Sequence, residues 1–199
     1  MKWWEKTVEY SFVLKASEKK IFNLFMPLDG DVEAIGDTVV CKDSMYFILE
    51  FKKSLSDLSG EYKKYEGGQL GYFAAAAELQ DMSAYKAHFL IGGKLDSAKK
   101  SLEIEIRKYF ESSIFQNELA QIFEKGVTLN EMQEYTEKLT EFKVKGNTGE
   151  DEGGSSGGKV YQSVLAISKS NKTATLIPLS YFKGFKLTPA PKLSGPRMP

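Results

Sequence analysis

Histidine, cysteine and arginine are nearly missing from this chain of 199 residues: one histidine, His88, one cysteine, Cys41, and only Arg107 and Arg197 among the basic residues that are not lysine. A single histidine excludes every centre that needs two or more, including multi-histidine zinc sites, His-Asn-His nucleases and HD phosphohydrolases. Any metal must then be held mainly by carboxylates. A lone cysteine cannot form an internal disulfide. No apolar run approaches the roughly 18 residues that a membrane span needs, and no charged-then-apolar leader follows Met1. The expectation is a soluble, cytoplasmic protein with no membrane partner. Arginine is the usual bidentate reader of guanine edges, so a lysine-dominated chain that binds nucleic acid is expected to hold phosphates rather than read bases.

What is present suits one ordinary core. Hydrophobic residues make up 42% and charged residues 27% of the chain, which excludes disorder of the whole. The formal net charge is zero, but residues 1–158 carry 20 basic and 27 acidic side chains, whereas 159–199 carry seven basic and none acidic. The C-terminal segment is a candidate anion-facing surface; a solvated, lysine-decorated hairpin is the plainer reading. The organisation expected is residues 1–145 as a core with acidic helices, 146–158 as a linker or disordered loop, and 159–199 as a basic β-hairpin and proline-rich tail packed on the core.

Within the core, residues 8–14 read as a strand, and Ser17 as the cap of a short helix that Pro27 ends; a helical N-terminus is the open alternative. A loop at 28–31 precedes a hairpin over 37–53. Residues 60–80 read as a helix, 87–91 as a short buried strand, 96–125 as a helix broken near Ser112 and Ser113, and 128–142 as a helix. Thr128 and Glu131 supply a capping box for the last. The glycine-rich run 146–158 cannot bury a core, and 160–167 with 173–182 reads as a hairpin. Residues 153–160 match the phosphate loop except at the last place, where Val160 lacks the hydroxyl that would hold magnesium. Its context, after Glu150, Asp151 and Glu152 and before a β-rich run, is also wrong for nucleotide binding.

The most informative stretch is 36–52. In its second strand both parities are apolar, Phe47, Leu49 and Phe51 on one face, Tyr46 and Ile48 on the other, as expected of a central strand covered on both sides. Into it are set Glu50 and Lys52, two residues apart and so on one face. If Asp43 and Ser44 are the central turn residues, paired positions sum to 87 and Asp37 falls opposite Glu50. Cross-strand Cβ atoms lie about 5 Å apart, where two carboxylates repel. A hard divalent cation removes that repulsion, taking carboxylate oxygens at about 2 Å while keeping several waters. Lys52 is then placed to activate a water or to steady a phosphorane. The plainer reading is an edge strand on which Glu50 and Lys52 form a surface ion pair.

Asp37 followed after twelve positions by Glu50, Phe51 and Lys52 resembles the PD-(D/E)xK nuclease superfamily, the restriction-endonuclease-like fold, over about residues 10–95. Gly36 departs from the proline common at that place. The resemblance implies an α/β (mixed α+β) fold: a central mixed sheet flanked by helices, here with an extra C-terminal β-hairpin. It implies Asp37 and Glu50 as ligands of Mg²⁺ (or Mn²⁺), Lys52 as catalytic, and an acidic residue on the preceding helix, Glu18, with Glu33 as competitor. Gln69 and Tyr72 stand near the Gln and Tyr motif of exonuclease-like members, one residue closer together. Nucleic-acid contacts are expected from Gln69, Lys53, Lys169 and Lys172. The implied activity is hydrolysis of DNA phosphodiester bonds, in bacterial or phage defence; the alternative is a catalytically inactive module of the same fold that binds nucleic acid, a protein partner or a second copy.

Other residues carry less. His88 reads as a hydrogen-bonded histidine at a strand end rather than a base, and Cys41 as a buried, inert thiol. Trp3 and Trp4 suit packing better than base stacking. Lys94 and Asp96 are placed either at a cleft edge or at a helix start.

Overall fold

The hairpin that the turn residues predict forms in that register. In the computed structural model, β2 (Thr38–Lys42) and β3 (Met45–Lys52) pair antiparallel from Thr38 with Leu49 to Lys42 with Met45. Asp43 and Ser44 both take positive φ, 51° and 66°, the pattern of a type I′ turn whose twist matches that of the strands. The structure describes residues 3–28, 36–96, 98 and 100–144 and the backbone of 163–168 and 173–178.

The N-terminus is helical, contrary to the strand expected at 8–14: α1 spans Glu5–Glu18 and buries Val8, Phe12 and Ala16 at helical spacing. The apparent alternation there was accidental, because the residues that need burial recur every four positions. The expected helix at 17–25 is instead the end of α1 and a strand, β1 (Leu24–Pro27), which pairs with β2. After β3 come the short α2 (Ser59–Tyr62), α3 (Gln69–Leu79) and a 3₁₀ turn (Ser83–Ala87). This crossover lets β4 (His88–Asp96) lie parallel to β3, with Glu50 beside Leu90 and Lys52 beside Gly92.

A second correction falls at 96–125. Instead of a helix, β5 (Ser101–Lys108) turns back antiparallel on β4, and only the single turn α4 (Leu119–Ile122) is α-helical there. Leu102, Ile104 and Ile106 alternate with Glu103 and Glu105, a period of two with β-branched residues, which outweighs the helix-favouring glutamates. The last helix, α5 (Leu129–Glu141), carries the predicted capping box, Thr128 with Glu131.

The result is a mixed five-stranded sheet, β5-β4-β3-β2-β1, with β3 at its centre and helices on both faces. At the backbone level, β1 continues into β6 (Ser163–Ser168) through two residue pairs, and β6 pairs with β7 (Thr173–Pro178). Phe47 and Phe51 meet α1 and the segment after α4 in a cluster of edge-on rings: Phe12 lies 5.7 Å from Phe51, and Phe123 lies 5.5 Å from Phe47 and 5.0 Å from Phe22. The opposite face of β3 looks toward α2, α3 and α5. Among the described residues no helix is long and apolar enough to cross a membrane.

Candidate active site

Asp37 continues the hairpin one step beyond its last described pair. Its N–H donates to the Leu49 carbonyl at 3.0 Å, and its Oδ2 accepts from the Phe51 N–H. Burial, and then the nearby charge of Glu50, push its carboxyl well above the usual range, although Lys52, Lys64 and the Phe51 N–H work against them. Asp37 and Glu50 are therefore brought together as two acids of like charge, as the register implied.

Glu50 is fully buried, so the plainer reading of a surface ion pair does not hold. Lys52 Nζ lies 2.5 Å from Glu50 Oε1, and a second lysine, Lys64, reaches the same oxygen at 2.5 Å. Both ammonium groups also face Glu61 Oε2, at 3.1 Å and 3.2 Å. Glu50, Lys52, Glu61 and Lys64 thus close a ring of alternating charge. Burial alone would lower both lysines; the carboxylates of Glu50 and Glu61 more than offset it and hold both above their ordinary value.

Behind the ring, Glu61 Oε1 accepts from the Tyr109 hydroxyl and lies 3.5 Å from Lys143 Nζ. Burial would raise Glu61, but Lys143, Lys52 and Lys64 with the Tyr109 hydroxyl hold it well below the carboxylate range. Tyr65 donates to Tyr109 at 2.8 Å. His88 stacks on Tyr109 with ring centroids 3.8 Å apart, and its Nδ1 is 2.9 Å from the Tyr135 hydroxyl. Burial, then Lys143, depresses His88 well below its ordinary range; it is a packed histidine at a strand end, hydrogen-bonded as expected at Nδ1 but with Nε2 buried and without a partner. Cys41 is likewise a buried thiol raised by burial.

Among the described residues three buried side-chain oxygens lack a hydrogen bond, Asn23 Oδ1, Glu61 Oε2 and Glu50 Oε2, and of the two in this cluster Glu61 Oε2 still faces two ammonium groups. Glu50 Oε2 is buried and without a hydrogen bond, on a side chain whose other oxygen takes two ammonium groups. Orphaned buried carboxylate oxygens are costly, and this one belongs to the residue set against Asp37. Hard carboxylate oxygens in such a pair suit Mg²⁺ or Mn²⁺. Among the described residues, no group of three or more His, Cys, Asp or Glu is placed to hold a metal ion. Asp37 and Glu50 would leave the remaining positions to water.

Glu18 is not at this site. It lies at the far end of α1, where it lines a groove of about 380 Å³ with Phe12, Lys15, Ile106 and Phe115. The acid of α1 that senses the ring is Glu5, in the first turn: burial raises it, and Lys52, Glu50, Lys64 and Glu61 all act on it electrostatically. A helix of this length separates its ends by about 20 Å. Placing the N-terminal strand at 8–14 hid Glu5. Glu33, Lys169 and Lys172, with the glycine-rich run 146–158, lie outside the described residues.

Gln69 is exposed in the first turn of α3, while Tyr72 is buried and donates to the Tyr109 carbonyl, a packing role. Lys53 is exposed where β3 ends; its carbonyl accepts from Trp3 Nε1 at 2.8 Å and its ammonium sits 5.7 Å from that ring. Trp4 is exposed. Lys94 pairs with Glu105 across the β4–β5 hairpin at 3.2 Å, and Asp96 accepts from the Ala98 N–H, so both belong to the end of strand β4 rather than to a helix start. Sequence reasoning missed Glu61, Lys64, Lys143 and Tyr109. The three-residue spacing of Glu61 and Lys64 was the only local signal; nothing local marks Lys143, which α5 delivers from 82 positions away.

Comparison with protein-family models, with curated proteins and with solved structures gave no match for this chain.

Proposed function

We propose that the chain is a divalent-metal-dependent nuclease with a restriction-endonuclease-like core, hydrolysing DNA phosphodiester bonds at the cluster around Asp37 and Glu50. The observation that carries this reading is the pairing of Asp37 with a buried Glu50 whose Oε2 has no partner, beside the ammonium of Lys52. A Mg²⁺ or Mn²⁺ ion held by Asp37 and Glu50 would supply a Lewis acid and a more acidic bound water. In hydrolysis a water oxygen bonds to phosphorus, the bond to the leaving deoxyribose oxygen breaks, and that oxygen takes up the proton the water loses. Lys52, held as an ammonium between Glu50 and Glu61, suits stabilisation of charge on the phosphorane oxygens rather than removal of a proton from water. Glu61 aims that ammonium. Lys53 and Gln69, both exposed, are assigned to the phosphate backbone.

One observation favours a catalytically inactive module instead: Lys52, Lys64 and Lys143 already supply Glu50 and Glu61 with cationic partners without a metal. A cleavage assay decides between the two, using plasmid and single-stranded DNA with Mg²⁺ or Mn²⁺. The wild-type chain is expected to cut and both Asp37→Ala and Lys52→Ala to lose at least about a hundredfold, the scale of one electrostatic contact to a transition state. Retained DNA binding with no cutting by the wild type identifies the module; cutting that both variants preserve rejects this site.

A further inference from the structure

Lys64 has a place in the cluster that the proposed reaction does not use. Its ammonium and that of Lys52 both lie 2.5 Å from Glu50 Oε1, while Glu50 Oε2 has neither. Two like charges crowd one oxygen and the other is left bare. The backbone of Lys64 is pinned: its N–H donates to the Glu61 carbonyl at 3.1 Å and its carbonyl accepts from the Val144 N–H at 2.9 Å. Any movement must therefore come from the side chain. Of the three cluster lysines, Lys64 has the most open side chain, 28% exposed against 15% for Lys52 and 6% for Lys143. Lys143 is enclosed between Glu61 and the Tyr109 hydroxyl, and since Lys52 and Lys64 both also face Glu61 Oε2, it is the exposure that singles out Lys64.

We propose that Lys64 is a built-in counter-ion that competes with a divalent cation for Glu50, leaving the carboxylate toward solvent when the cation arrives. The inference rests on the reading of Asp37 and Glu50 as metal ligands. Without the exchange, a divalent ion would enter a buried set that already holds three lysines beside three carboxylates, and a low-dielectric site disfavours the added positive charge. Release of one ammonium to water offsets part of that charge and leaves Glu50 Oε1 to Lys52 alone. Lys64 thereby sets the cation concentration at which the site loads, and acts on the reaction through Glu50 rather than on the phosphate.

Calorimetric titration of the full chain with Mn²⁺ alone tests this, with folding followed by circular dichroism. Lys64→Met is expected to bind Mn²⁺ about tenfold more tightly than wild type, since a neighbouring positive charge has gone. Lys64→Arg, which keeps the charge, is expected to stay near wild type; a purely structural lysine would not separate the two. Mn²⁺ should also raise the melting temperature of Lys64→Met by more than that of wild type. Should Lys64→Met not fold, Lys64→Gln, with a neutral donor in place of the ammonium, carries the same comparison. Equal or weaker Mn²⁺ affinity in the folded neutral variant overturns the proposal, as does absence of Mn²⁺ binding in both proteins. Tighter binding without DNA cleavage supports the exchange and rejects the nuclease reading, whereas DNA cleavage with unchanged affinity rejects the exchange alone.

Discussion

Glu61 shows how much of the site's cost is met by residues that touch no substrate. Three lysines and a tyrosine hydroxyl surround its carboxylate. Removing one partner of a buried ion set leaves the others uncompensated, typically at 3–5 kcal/mol. Glu61→Gln is accordingly expected to lower stability by about 3 kcal/mol in urea titrations. His88 gives a separate, pH-dependent expectation. Folding keeps it neutral, while the unfolded chain takes up a proton below about pH 6.5. Stability supplied by the neutral form is thus complete above that pH and declines as pH falls toward the depressed folded value. At pH 5.5 stability should be lower than at pH 7.5 by on the order of 1 kcal/mol, and His88→Gln should remove that loss, measured as the difference between the two proteins' denaturation curves. The comparison with the variant matters because Asp37 and Glu5, both raised, titrate with the opposite sign. Of these residues, Asp37, Glu50 and Lys52 were legible because two short-range rules, strand alternation and hairpin pairing, place them. Glu61, Lys143 and Tyr109 were not, because each comes from a different element.

At the scale of elements, the β2–β3 turn is the part whose chemistry can be improved. Asp43 and Ser44 hold positive φ where glycine or asparagine is favoured. Replacing them by Asn and Gly should add about 1 kcal/mol, read as a higher urea midpoint with an unchanged slope. The start of α3 shows the opposite case. A Cβ at Gly71 would stand 1.9 Å from the Glu66 carbonyl oxygen, a backbone atom that cannot step aside. Gly71→Ala should lower stability by roughly 1–3 kcal/mol and shift Tyr72 off the Tyr109 carbonyl. The elements themselves were unevenly legible. The β2–β3 hairpin and α5 declared themselves through turn and cap residues that act within four positions. At α1 and β5 the mixed patterns admitted either period, and the choice fell to burial: α1 covers β3, β4 and β5, and β5 completes the sheet beside β4.

Over the whole molecule, the aromatic cluster of Phe12, Phe22, Phe47 and Phe123 joins α1, the central strand and the segment before α5 into one core. Phe47→Ala should cost about 3–5 kcal/mol, and because its ring lies on the face of β3 opposite Glu50, Mn²⁺ affinity of the folded fraction should be unchanged. The sequence by itself determined that any metal would have to be held mainly by carboxylates, that Asp37 faces Glu50, and that Lys52 shares the face of Glu50. Those facts follow from composition and from the fixed geometry of paired strands, which needs no knowledge of the rest of the chain. Tertiary structure alone decided that Glu50 is buried, that Glu5 rather than Glu18 senses the cluster, and that Lys64 and Lys143 meet Glu61 there. Burial and long-range charge pairing depend on which elements pack together, and that is set by the summed apolar contacts of the core rather than by any local run of residues.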